Sequence, residues 1–189
     1  VAASDYKDDI RISENILKQL SDAYRRIRNT SRFMLGNLFD FDPAVDEISY
    51  DSMPEVDRFA LHKLQGMIEK TLKAYDQYEY HIIYHALHNY CTLDLSAFYL
   101  DILKDRLYTS QPKSDARRSA QTVMYFVLDS LARIMAPLLP FTAEEIWEHM
   151  PDIGDDAPSV HLAALPEANR KWKNEDLSRK WGKILDLRA

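Results

Sequence analysis

Apolar residues near the start of the chain recur at the spacing of a helix, and this restricts the fold more than any other feature. Ile16, Leu20, Ala23, Ile27, Met34 and Leu38 fall on one side of a helix turning about 100° per residue. Arg25, Arg28, Asn29 and Arg32 fall on the opposite side. One flank is made for burial, and the other is a row of guanidinium and amide donors. Only four glycines occur in 189 residues, well under the roughly 7% of an average protein. Few turn-formers and many Leu, Ala, Arg, Lys and Glu favour helix over sheet.

Punctuation along the chain divides it into helices. Ser13 is placed to cap a first helix over about 14–36. Residues 37–53 read as an acidic loop with a turn at Asp42-Pro43. Pro54 suits the start of a second helix, about 55–74, with Leu61, Leu64, Met67 or Ile68, and Leu72 inward. The segment 77–108 is apolar nearly all round, which predicts the central helix of a bundle. A fourth helix is expected from Asp115 to Ala136, ended by Pro137 and Pro140. Thr142 with Glu145 matches a capping box, predicting a short helix that carries Trp147. Val160 to Leu162 suggests a short strand, and Asn174 a cap for a last helix. The expected fold is all-α: an antiparallel helix bundle over 1–150 with a small C-terminal extension over 151–189. Val1 at one end and a helical pattern running into Ala189 at the other suggest a piece of a longer chain.

Charge lies in blocks. The whole chain carries a formal net charge of -6, yet residues 22–36 hold four bases against one acid. Residues 37–57 hold seven acids and no base. Such a distribution suits a surface that engages a polyanion in one place and repels it elsewhere. A lone cysteine, Cys91, excludes an internal disulfide and a multi-thiolate zinc site, and is in keeping with a reducing, cytoplasmic setting. No apolar run suits a membrane span or export signal. His81, His85 and His88 share a helical stripe, but without the Glu of zinc proteases or the Glu-x-x-His pairs of di-iron bundles they read as packing residues. Asp101 and Asp105 are flanked by Lys104 and Arg106, so ion pairing is the plainer reading than carboxylate chemistry. No nucleophile–base arrangement is visible.

Several stretches taken in order are specific. They are Tyr24 to Phe33 with Leu35-Gly36-Asn37-Leu38, Tyr84 to Asn89, Asp94 to Asp101, Lys104 to Tyr108, and Pro137 to Trp147. Together they resemble the isoleucyl-tRNA synthetases, most closely the bacterial ones, over essentially the whole chain. The resemblance implies the helical domain that reads the anticodon stem-loop of tRNA(Ile), in an enzyme that joins isoleucine to its tRNA using ATP. The catalytic motifs His-Ile-Gly-His and Lys-Met-Ser-Lys-Ser are absent from these 189 residues. This part is therefore expected to be inactive by itself and to hold no cofactor, with ATP and magnesium bound by the catalytic part and zinc by a C-terminal module. The implied partners are tRNA(Ile) and the rest of the synthetase, with neither membrane nor DNA.

On that resemblance Arg25, Arg28, Asn29 and Arg32 are assigned to the RNA backbone, because Arg binds phosphate oxygens through paired hydrogen bonds. Phe33 points off the apolar flank and is a candidate stacking platform, with Phe39 and Phe41 as weaker ones. Lys104, Arg106 and Tyr108 form a second candidate group, because a relative specific for methionine has a base-stacking aromatic near the end of the equivalent helix. Lys171, Lys173, Arg179 and Lys180 read as a solvated face, and the three tryptophans as packing residues. Two alternatives stay open: a scaffold module whose arginine row docks an acidic partner, or pairs with the acidic stretch 37–57, and the equivalent domain of a valyl- or leucyl-tRNA synthetase.

Overall fold

A computed structural model describes residues 2–9, 12–151 and 157–187. The first helix, α1, runs Glu14–Asn37, and the Ser13 hydroxyl accepts from the Ile16 N–H as its cap. The acidic stretch is more ordered than a loop. Asp42 caps a one-turn helix, α2 (Pro43–Asp46), and Tyr50–Ser52 forms a 3₁₀ turn. The second long helix, α3, spans Glu55–Asp76, with Leu61, Leu64, Met67 and Ile68 buried and Leu72 only half-buried. It closes on a Schellman arrangement: Glu79 N–H bonds to Ala74 O and Tyr78 N–H to Tyr75 O, with Tyr78 in the left-handed region at φ 57°. That tight reversal sends the next helix back along α3.

The returning segment is one long rod in three parts: α4 (Tyr80–Asn89), a π-helical stretch over Tyr90–Tyr99, and α5 (Leu100–Thr109). It is not the centre of the bundle. Leu93 is 64% exposed and Ile102 40% exposed. The central position belongs to α6 (Asp115–Met135), which packs on α1, α3, α5 and on α7 (Pro140–His149). Val123, Met124, Val127, Leu128, Leu131, Ile134 and Met135 are all buried there. So are Arg117, Arg118, Gln121 and Thr122, whose polarity hid the helix's position from its sequence. Each finds hydrogen-bond partners, though the Arg118 Nε is left without one: Gln121 donates to Asn37 O and Asp40, both at 2.8 Å, and Thr122 accepts from the Ile48 N–H at 3.1 Å. Burying polar groups is tolerable only with such partners.

Two smaller expectations are corrected. Thr142 and Glu145 do not form a capping box. The helix starts at Pro140, and both residues sit inside it facing α1, with the Thr142 hydroxyl 3.1 Å from the Tyr24 hydroxyl. Val160–Leu162 is a 3₁₀ turn, tied down by the Glu144 carboxylate, and the described residues contain no strand. Residues 152–156 of the expected C-terminal extension lie outside the described residues.

The C-terminal segment packs across the bundle. Trp172 meets Phe126 at 4.8 Å between ring centres, and the Asn169 N–H donates to Gln65. The Asn174 N–H donates to His62 Nδ1, and the Asn174 side chain caps α8 (Glu175–Asp186). Trp181 stacks on Phe59 at 5.4 Å, while Lys173 and Lys180 pair with Glu69 and Glu55 of α3. The tryptophans are thus packing residues, and two of the four downstream bases are held by α3.

Candidate nucleic-acid interface

The arginine row of α1 is a ridge between two grooves. On one side, Arg28, Arg32 and Leu35 face Glu145 and His149 of α7 across a cleft of about 440 Å³. On the other, Arg26, Asn29 and Phe33 face Ser96 of the π-helical stretch and Lys104 of α5 across about 480 Å³. Helical geometry explains the split. Arg26, Asn29 and Phe33 lie at i, i+3 and i+7 and turn to one flank, while Arg28, Arg32 and Leu35 turn to the other. Arg26 was missed in the sequence because it breaks the pattern of the main row, although its own i+3 and i+7 partners give it away.

Most of the expected row is open. Arg25, Asn29 and Arg32 are exposed, Arg25 holding only Asp22 of its own helix at 3.3 Å. Arg28 is half-exposed and reaches Glu145 at 3.0 Å. Phe33 is half-buried and packs against the core, so one edge of its ring faces the groove wall. Lys104 is exposed and paired with Asp101 at 3.0 Å, and Tyr108 is 68% exposed. Phe39 is exposed beside the Arg117 guanidinium, whereas Phe41 is buried against Tyr125 and is a core plug.

Arg106 is the correction. Its two terminal nitrogens grip the Asp57 carboxylate at 2.8 and 2.6 Å, and its side chain is only 16% exposed. Asp57 is fully buried and also accepts from the Tyr99 and Ser119 hydroxyls at 2.9 and 2.5 Å. Burial by itself would lower the Arg106 pKa, but hydrogen bonding to Asp57 and that carboxylate's charge raise it on balance. With both terminal nitrogens on Asp57 and most of the side chain buried, the guanidinium has little left to offer a phosphate. In the sequence Arg106 looked like Lys104, since both are cations near the end of one helix; only the partner on α3 separates them.

The acidic stretch is matched from another direction than α1. Arg117 holds Asp40 at 2.6 and 2.9 Å, and Arg118 reaches Asp46 at 3.2 Å. Hydrogen bonding from Arg117 holds the Asp40 carboxyl below its ordinary value, against the opposing effect of burial. The alternative in which the α1 row pairs with residues 37–57 is therefore not what the chain does.

Cys91 is buried, and burial pushes its thiol pKa up to about 12, so the thiolate needed for attack or metal binding is not formed near neutrality. Tyr84 meets His85 in a T-shaped contact at 5.1 Å and stacks on His88 at 6.3 Å between ring centres, as packing histidines do. No helix of the described residues is long and apolar enough to cross a membrane.

Comparison with known proteins agrees with a surface of this kind. Residues 57–188 match the family described as the anticodon-binding domain of tRNA ligase. The whole chain is 54% identical to the isoleucine–tRNA ligase of Desulforamulus reducens over 188 residues. It is 55% identical over 189 residues to that of Geobacter sulfurreducens, and 52% over 188 to that of Symbiobacterium thermophilum. In each case it spans 20% of the relative's length.

Proposed function

The chain belongs to the anticodon-binding domain family of tRNA ligases, and on that premise we propose that it recognises the anticodon stem-loop of tRNA(Ile) within an isoleucine–tRNA ligase. Its work is binding. Held by this domain, the RNA presents its acceptor end to a catalytic part elsewhere in the enzyme, where ATP and magnesium serve amino-acid activation in the cytoplasm. Arg25, Arg26, Arg28, Asn29 and Arg32 take the backbone phosphates, and Phe33, Lys104 and Tyr108 meet the loop beyond them. Arg106 is excluded from this set for the reason given above.

One observation carries the reading. Arg25, Arg26 and Arg32 of α1 stand in the open between two grooves, while the carboxylates of Asp40, Asp46 and Asp57 are engaged by α5 and α6. Guanidinium groups without a strong internal partner are the ones a polyanion can use.

The test is a separation of two activities in the full ligase. Arg32→Glu raises the KM for tRNA by about tenfold, the scale of losing one charged contact and gaining a repulsion, while ATP-dependent isoleucine activation is unchanged. An equal fall in activation would sink the recognition role, because a pure RNA contact has no route to that step.

A further inference from the structure

Among the described residues Arg28 is the one member of the row with a cross-helix partner, and that partner lies inside the groove. The Arg28 guanidinium nitrogen approaches both Glu145 oxygens, at 3.0 and 3.4 Å. Among the groove's lining residues Glu145 is the only carboxylate, facing Arg28, Arg32 and His149. Its position is imposed. One turn earlier on α7, Thr142 is bonded to Tyr24 of α1, and one turn later His149 Nδ1 is bonded to the Glu145 carbonyl. Yet the contact is not sealed: Arg28 is 38% and Glu145 56% exposed at the side chain. Such a pair is weak and can be exchanged.

A carboxylate held by a guanidinium presents two oxygens, as a phosphate does. We propose that Glu145 is an internal stand-in for a backbone phosphate. It holds Arg28 in the free protein and is displaced when RNA enters the groove between α1 and α7. The inference rests on the RNA reading above and adds a competitor to it. Displacement leaves a carboxylate beside a phosphate, a like-charge contact that costs affinity. Only an RNA that gains enough elsewhere along the ridge offsets that cost, so the pair raises selectivity by lowering affinity for anions at large. Arg32 lines the same cleft, exposed and with no carboxylate partner among the described residues, and serves as the first point of attachment.

The sign of the predicted effect is unusual, since removing one exposed side chain improves binding. In the full ligase, with an anticodon stem-loop RNA at low salt, Glu145→Gln tightens Kd by about fivefold. Glu148→Gln is the control: it lies on the same helix, is also exposed, removes the same charge, and shifts Kd by less than about twofold through the general field. In an Arg28→Ala background the benefit of Glu145→Gln shrinks to that of the control. If Glu145→Gln binds no tighter than Glu148→Gln, or keeps its benefit without Arg28, the competitor does not exist and the RNA role stands. If neither the ligase nor any variant binds the RNA, the RNA reading falls and takes this inference with it.

Discussion

Arg106, Arg117 and Arg118 are chemically identical to Arg25, Arg26 and Arg32, and the molecule uses the two sets for opposite purposes. The first set lies on α5 and α6 and is turned inward. Arg106 closes on fully buried Asp57, and Arg117 and Arg118 draw the acidic stretch down onto the central helix. The second set stands on α1 with nothing stronger than an exposed contact to Asp22. Availability for a partner is decided by whether a neighbour from a distant part of the chain has already matched the charge. The same contrast explains why an acidic protein can offer a cationic ridge: its carboxylates at 40, 46 and 57 are engaged elsewhere.

The comparison breaks most visibly at the buried end. Asp57→Ala leaves the largely buried Arg106 without its partner and the Tyr99 and Ser119 hydroxyls without this acceptor. Urea denaturation should show a loss of about 3–5 kcal/mol, the range for uncoupling a buried pair. Arg117→Ala should cost less, about 2 kcal/mol, because Asp40 keeps some contact with water. If both changes were neutral, the inward arginines would be no more structural than the outward ones.

On the exposed ridge the pattern reverses. Arg32→Glu should leave unfolding free energy within about 0.5 kcal/mol. The log–log salt dependence of RNA binding should flatten by about 1 with the lost phosphate contact. An unchanged slope would remove Arg32 from the interface.

Acid sharpens the inward set further. The Asp40 carboxyl is held below its ordinary value, so its pairing with Arg117 stabilises the fold fully above the unfolded value of 3.8 and is lost as pH falls through the lower folded value. Asp40→Asn should flatten the fall in stability below about pH 4, measured by urea midpoints across pH. An unaltered pH profile would mean that Arg117 does not discriminate the charged form.

The smallest effect is expected at Asp22→Ala. It removes the exposed contact to Arg25 and should shift stability by no more than about 0.5 kcal/mol. A larger loss would show that α1's outer flank is structural after all.

Much of this arrangement is legible in the residues. Local signals act within a turn or two, so Ser13, Asn174 and the apolar positions of α1 and α3 place their helices without help from the rest of the chain. The signals that misled were those whose meaning depends on a distant partner. Thr142 and Glu145 have the spacing of a cap, but α1 has taken both. The helix at 115–135 looks half polar, yet its polar half is buried against acidic residues some eighty positions earlier in the chain. The rod from 80 to 109 looks apolar all round, yet part of that surface remains in water.

What the sequence determined by itself was the helical class, the register of the buried stripe on α1, and an arginine row opposite it. Those follow from backbone periodicity and side-chain type, which are properties of neighbours in the chain. Tertiary structure alone decided which guanidinium groups are consumed and which stay open, because an ion pair forms where folding brings opposite charges together. It also placed Arg26 and Glu145 in the walls of two grooves, since a groove exists only between helices that have already packed.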